Sequence, residues 1–488
     1  MRWIFGDQLG PHFDDGGQLL LIESVAAFGR RPMHRAKAEI ILSALRHRAA
    51  DLGERATFVS APSFDDALQR YRPSEVIDPT SRRARELVRK QPDIRILPAR
   101  GFTASHEDFT AWINHRPERR RLRMEDWYRW HREQLGVLMD AEGPIGGRWN
   151  FDEANRLPPP KGQSNLGLPP AWMPVEDEID EQVRATLDDW ENRGWVRLIG
   201  ASSKRRFAVT RAEALQAMED FIDHRLVLFG PYEDATMEQD PVMAHSLLSV
   251  PMNLGLLHPL ELVARATTAY EDGQASLASV EGLVRQVIGW REYVWQLYWH
   301  LGPDYEHSNA LQANTDLPGW FSDLDATAVK ARCLQQSLAS VHDWGWSHHI
   351  VRLMILSNWC LQRGYAPLQV RDWFVSRFVD GYDWVMDANV LGMGLYADGG
   401  VMATKPYAAG GSYINRMTNH CGSCVYKPTE RIGPRACPFT AGYWAFLDRH
   451  EDALRGNHRM AQPLAGLRRL KDRVAVVAAE QERGEQAP

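Results

Sequence analysis

Lys405-Pro406-Tyr407, then Tyr413-Ile414-Asn415-Arg416-Met417, then Cys421-Gly422-Ser423-Cys424 and finally Cys437-Pro438 form the run that decides how this chain is read. Two cysteines separated by two residues can grip one metal centre from a single turn. A further cysteine followed by proline is how bacterial ferredoxin-type sequences close a cluster site. Three of the five cysteines lie here, among aromatics and glycines. The segment is a cofactor site.

Three thiolates need a fourth ligand, and from spacing alone both Cys333 and Cys360 are available. Zinc would accept the same four ligands. A second C-x-x-C pair is missing, and the Cys-Pro step favours iron and sulphide. Buried free thiols are the plainer alternative.

Composition bounds the rest. At 488 residues the chain exceeds one ordinary core, so two domains are expected. Hydrophobic content of 44% and charged content of 25% are those of a globular protein without a membrane span. The start, Met1-Arg2-Trp3-Ile4-Phe5-Gly6-Asp7, does not have the pattern of a signal peptide. Five cysteines make no disulfide framework, and a reducing cytoplasm fits them. A net charge of −6 argues against coating nucleic acid by bulk charge, while leaving room for a local basic face.

Two periods divide the chain. Up to residue 135, β-rich runs alternate with helical ones: Trp3–Phe5, Leu19–Ile22, Thr57–Val59, Val76–Ile77 and Ile94–Leu97 read as strands of a parallel sheet. Arg35–Leu52, with Ile41, Leu42, Leu45 and Ala49 at helical spacing, reads as a crossover helix. Such a Rossmann-like α/β domain binds ligands beyond its C-terminal strand ends, the first being Gly6-Asp7-Gln8-Leu9. Residues 136–175, broken by Pro144, Gly146-Gly147 and Pro158-Pro159-Pro160, read as an interdomain connector that packs through Trp149 and Phe151. From 176 to 488 the pattern is helical, with helices expected at Val183–Arg193, Arg211–His224, Leu283–His300, Leu334–Arg363 and Tyr443–Leu454. A frayed end is expected over 480–488.

The order Gly289-Trp290-Arg291-Glu292-Tyr293, His348-His349-Ile350-Val351-Arg352-Leu353-Met354, Asn389-Val390-Leu391-Gly392-Met393 and Ala397-Asp398-Gly399-Gly400 through Cys437-Pro438 resembles the iron–sulphur bacterial branch of the cryptochrome/photolyase family over nearly the whole chain. The resemblance implies an α/β antenna domain joined to an all-α FAD-binding domain. It also selects Cys333, in Cys333-Leu334-Gln335-Gln336, as the fourth ligand of a [4Fe–4S] cluster with Cys421, Cys424 and Cys437. Cys360 then reads as a small buried hydrophobe.

For FAD, the family's phosphate loop matches His245-Ser246-Leu247-Leu248-Ser249, where hydroxyls and free N–H groups at a helix start suit a diphosphate. Its Trp-Arg-Glu helix matches Trp290-Arg291-Glu292, with Gln286 one turn earlier, Tyr293 following, and Arg291 adding charge to the phosphates. Arg352 and Asp383 match the arginine–carboxylate pair beside the isoalloxazine, and Asn389 matches an asparagine near the ring. A fixed cation there favours reduced, anionic flavin. Many relatives read Glu-Leu-Pro-Asn where this chain has Met386-Asp387-Ala388-Asn389, so the proton donor some place near flavin N5 is absent or replaced.

Trp373 matches a family electron-transfer position, and Trp384 and Tyr382 are further carriers; most of the eighteen tryptophans are core residues. The resemblance gives His349, with His348 beside it, the role of general acid at a flipped-out (6-4) lesion. A lone histidine is more often structural. Phosphate contacts need a basic rim, for which Lys204, Arg205, Arg206, Lys405, Arg416 and Arg431 are candidates. The run Arg116, Arg119, Arg120, Arg121, Arg123 reads as a solvated face. The family's 6,7-dimethyl-8-ribityllumazine antenna is expected against Asp7, Gln8, Glu23, His34 and Lys37, each of which has a capping or surface role as its alternative.

The implied activity is light-driven repair of (6-4) photoproducts in UV-damaged DNA by a monomeric protein. The alternatives are a blue-light photoreceptor of the same fold, and a dark oxidoreductase. The last lacks a nicotinamide-type G-x-G-x-x-G after a strand.

Overall fold

The computed structural model describes residues 1–116 and 121–488. Strands Arg2–Ile4, Leu19–Ser24, Ala56–Ala61, Glu75–Ile77 and Arg95–Leu97 form one parallel sheet. Across it the strands run third, second, first, fourth, fifth. Leu19, Leu20, Leu21 and Ile22 are all buried. Such an unbroken apolar run requires cover on both faces, as parallel strands generally do. The order reverses between the first and fourth strands, so a crevice opens where Asp7-Gln8 and Asp78 leave the sheet.

The crossover helix is Arg35–Leu52, started by the His34 ring, which accepts the Ala36 N–H, and stopped at Gly53 with φ 55°. Its outer face is covered by helix Glu178–Asn192: Val183, Leu187 and Trp190 pack on Phe28, Ala38 and Leu42. Residues just beyond the expected connector therefore join the α/β layer, and Leu198–Ile199 pairs with Met33–His34. The connector packs as anticipated, the Phe151 N–H donating to Glu281 at 3.0 Å and Arg132 to the Trp149 carbonyl at 3.2 Å.

The remainder is helical. The helix expected over Leu334–Arg363 is two, because Gly345 takes φ 61° and ends Arg332–Trp344; the chain resumes helix at His349. Three π-helical stretches, Arg285–Arg291, Val351–Ser357 and Asp387–Gly394, interrupt the α-helical ladder. They contain Gln286, Trp290, Arg291, Arg352 and Asn389, and π segments often mark functional positions. The end of the chain is packed rather than frayed. Glu480 is buried against Arg363, and the Pro488 main-chain oxygen accepts from Ala331 N at 3.0 Å. Among the described residues no helix is long and apolar enough to cross a membrane.

Candidate active site and thiolate centre

Cys333, Cys421, Cys424 and Cys437 line one small pocket with Gly411, Ile414, His420 and Tyr426. Cys333 comes from the first turn of Arg332–Trp344; Cys437 caps helix Pro438–Arg449. Burial and the three neighbouring thiols push the Cys333 thiol well above its usual range, and burial with Cys437 and Cys424 pushes Cys421 up to about 12. A bound cation reverses that penalty. A Cβ on Gly411 would lie 2.7 Å from Cys437 Sγ, so the cradle is cut close to the sulphur. The Arg332 N–H points at Cys424 Sγ at 3.5 Å. Cys360 is fully buried outside this cavity. The four thiols fit a metal centre.

Three imidazoles cluster nearby. His245 meets His348 edge-on at 3.9 Å, and His348 stacks on His349 at 4.7 Å. Adjacent helical residues point about 100° apart. His348 precedes the helix, however, and its Nδ1 accepts the Ile350 N–H at 3.1 Å, so both rings reach one place. That bond fixes hydrogen on His348 Nε2, making it a buried donor with no protein partner among the described residues. Burial, then His245, His349 and Arg352, hold His348 neutral, well below its ordinary value. His349 is solvent-facing, its Nε2 lying 3.4 Å from Asp234 Oδ1. The arrangement offers one fixed neutral donor and one exposed acid–base group beside a carboxylate.

Arg352 lies one turn on and donates to both oxygens of Asp380, at 2.8 and 3.1 Å, and to the Ser347 carbonyl. The expected Arg352–Asp383 pairing is therefore corrected: the partner is Asp380. Asp380 also accepts from the Ser249 hydroxyl at 2.8 Å. Helix Ser249–Asn253 has five residues and no side-chain cap, so the loop 245–249 offers its hydroxyls rather than a helix end. Leu247 sits at φ 57° there, and Leu248 N donates to Ser246 Oγ. Asp383 instead meets Arg371 at 2.9 Å and Arg31 at 4.0 Å. Burial raises its carboxyl, but Arg371, Arg31 and their neighbours bring it below the usual range. Asp387, also held by Arg371, takes Arg82 from the α/β layer.

Arg291 departs from expectation too. It lies over Phe102 at 4.3 Å and Trp384 at 5.4 Å, pairs with Glu292, and lines the crevice at the strand ends with Asp7, Gln8, Asp78 and Thr80. The π-helical turn beneath it alters the angular step on which Gln286, Trp290 and Arg291 were placed. Gln286 donates to Glu233. Trp290 is half-buried, Tyr293 is buried in the main core, and Asn389 caps back to the Val385 carbonyl at 2.9 Å.

A curated (6-4) photolyase of Agrobacterium fabrum is 38% identical over 502 aligned residues, spanning 96% of both proteins. This chain belongs to the photolyase–cryptochrome family. The family profile described as deoxyribodipyrimidine photo-lyase-related protein matches residues 2–197. Solved structures of similar fold include a bacterial class III photolyase from Agrobacterium tumefaciens, with TM-score 0.51, 16% identity and coverage of 84% of this chain and 81% of that one. A cryptochrome of Synechocystis sp. matches with TM-score 0.56 and 13% identity, over 99% of this chain and 98% of that one. The α/β sheet followed by a helical half is the architecture of this photolyase–cryptochrome fold, and family membership implies FAD.

Within this family member, the five residues expected at an antenna take separate hydrogen-bond and ion-pair partners. Asp7 and Gln8 line the strand-end crevice. Burial pushes the Asp7 carboxyl up; Gln8 is tied to Phe5 N and the Ile77 carbonyl. Glu23 is buried and paired with Arg46 at 2.9 Å. His34 faces the His342 carbonyl at 3.0 Å, and Lys37 donates to the carbonyls of Val375 and Gly381. These two dock the layers together.

Trp373 is buried against Phe321 at 4.7 Å and Phe378 at 5.8 Å, and Phe378 lies under the Arg352 guanidinium at 4.3 Å. Trp384 is buried at the crevice.

Of the basic candidates, Lys204, Lys405 and Arg416 are exposed. Arg205 is corrected: it is buried and grips Asp180 and Glu213. Arg206 is half-buried over Trp344, and Arg431 pairs with Asp472. Arg116 pairs with Asp126; Arg119 and Arg120 lie outside the described residues. Sequence reasoning missed Asp380 and Asp234. Asp380 stands three residues before Asp383, in the turn that precedes helix Asp383–Met386, and Asp234 has no motif around it.

Proposed function

We propose that this chain reverses (6-4) photoproducts in UV-damaged DNA, driven by light. The observation that carries the reading is the imidazole pair His348–His349 placed one turn before Arg352, in a chain 38% identical over 96% of its length to a protein named (6-4) photolyase. Bound reduced FAD would supply an electron to the lesion on illumination. Residues of this chain do the rest. His245, Ser246, Leu248, Ser249, Gln286 and Asn389 are the proposed contacts, and Arg352, held rigid by Asp380, presents the cation that favours an anionic ring. Asp383, Trp290, Arg291 and Tyr293 support the fold around them. His349, beside Asp234, supplies and recovers the proton that return of the transferred group requires. The His348 Nε2–H is a fixed donor that orients the lesion. Lys405 and Arg416 take backbone phosphate.

The four cysteines are proposed as ligands of a [4Fe–4S] cluster, which would cross-link distant helices. A lumazine-type antenna is assigned to the crevice of Asp7, Gln8 and Trp384, and Trp373 to re-reduction of the flavin. The protein is read as a cytoplasmic monomer, on its few cysteines and its buried polar interfaces.

The test is illumination of reduced protein with an oligonucleotide bearing one (6-4) lesion. Restored thymines in blue light but not in darkness are expected. Binding without recovery would instead mark a photoreceptor of the same fold.

A further inference from the structure

The segment 233–239 touches both the histidine site and the thiolate site. At one end, the Glu233 side chain accepts from Gln286, and Asp234 stands 3.4 Å from His349. At the other end, Thr236 N donates to the Met417 carbonyl at 3.0 Å and pairs with Thr418 as a parallel bridge, just before the Cys421–Cys424 turn. Glu238 N donates to Asn419 Oδ1 at 2.8 Å, and Asn419 returns a bond to Gln239 at 3.0 Å.

The Glu238 carboxylate closes the connection. It accepts from Arg332 Nε at 3.1 Å and lies 3.8 Å from His420 Nδ1 and 3.5 Å from Ser423 Oγ. Arg332 is the residue before Cys333, and its own N–H points at Cys424 Sγ. One carboxylate thus touches the neighbours of three cysteines.

We infer that Glu238 is a positioning residue, a latch through which the thiolate centre holds segment 233–239 and thereby sets Asp234 against His349. The centre then serves the histidine site mechanically. The inference rests on the proposed repair role only for its catalytic consequence; the latch itself is a statement about the fold.

The first readout is amide hydrogen exchange in the holoprotein for wild type, Glu238→Gln and Arg332→Gln. Glu238→Gln is isosteric and Arg332→Gln is shorter; each removes one charge of the ion pair. Amides of 233–239 should exchange about tenfold faster in each variant, since local opening follows loss of local ties. Iron content and flavin absorbance should stay at wild-type levels. Unchanged exchange in that segment overturns the latch.

The second readout is photorepair. In Glu238→Gln the repair yield per absorbed photon should fall about tenfold, as a displaced catalytic group costs, with the Kd for lesion DNA unaltered. A purely structural role would lower cofactor content or binding instead. Faster exchange with an undiminished yield overturns the positioning role. If wild-type protein repairs nothing, the repair reading fails, and the exchange result alone decides the latch.

Discussion

Arg352 holds Asp380 in a two-pronged grip of 2.8 and 3.1 Å, and the same carboxylate receives the Ser249 hydroxyl at 2.8 Å. One acidic side chain therefore ties the loop 245–249 to the helix that starts at His349. Charge-assisted, two-point bonds of this kind fix geometry as well as adding energy.

Asp380→Asn should release bound flavin, lowering the flavin-to-protein absorbance ratio of purified material by about tenfold. Asp383→Asn should keep the flavin and loosen the contact between layers, seen as a lower Tm. Equal flavin loss in both variants would show that Asp380 has no special place.

Cys333→Ala should abolish iron incorporation, as should Gly411→Ala, whose new methyl would meet Cys437 Sγ. Cys360→Ala should retain iron and cost only about 1 kcal/mol of stability for a small buried side chain. Iron analysis and thermal melts read both. Iron surviving in Cys333→Ala would remove that residue from the ligand set.

Arg205→Gln should destabilise by about 3 kcal/mol, because Asp180 and Glu213 lose a buried partner. Lys405→Gln should leave stability alone and reduce the salt slope of DNA binding by about one unit. A lower salt slope in folded Arg205→Gln protein would return that residue to the DNA face.

Burial, against the His342 carbonyl bond, holds His34 neutral down to about pH 4. In the unfolded chain it takes a proton near its ordinary value of about 6.5. The unfolded state then binds more protons than the folded one between those values, so stability falls as pH drops through that window. Replacing His34 by Gln should flatten the acid slope by up to about 1.4 kcal/mol per pH unit. Denaturant melts at pH 6 and 5 that shift in parallel for both proteins would refute this.

Much of the fold was legible because its determinants are local. Leu19–Ile22 reads as a covered parallel strand, and Arg35–Leu52 carries its own helical spacing. Family resemblance reached Cys333 across a long gap, and the cavity brings it to the other three thiols. What escaped depends on tertiary choices that spacing does not encode. Either Asp380 or Asp383 could have met Arg352; the interface arginines Arg31 and Arg371 claim the second. Three π-helical turns rotate side chains off α-helical positions, which is why Arg291 stands at the crevice. Arg205 looked basic and exposed because the carboxylates that bury it, Asp180 and Glu213, come from two helices on either side of it in the chain.

Arg31, Lys37 and Arg82 reach out of the sheet layer and end on Asp372, the Val375 and Gly381 carbonyls, and Asp387. Three separate tethers leave the two halves no axis about which to swing. A pigment in the crevice and another behind Arg352 would keep constant spacing and tilt, so the efficiency of excitation hopping between them would be built into every molecule alike, whether or not DNA is bound.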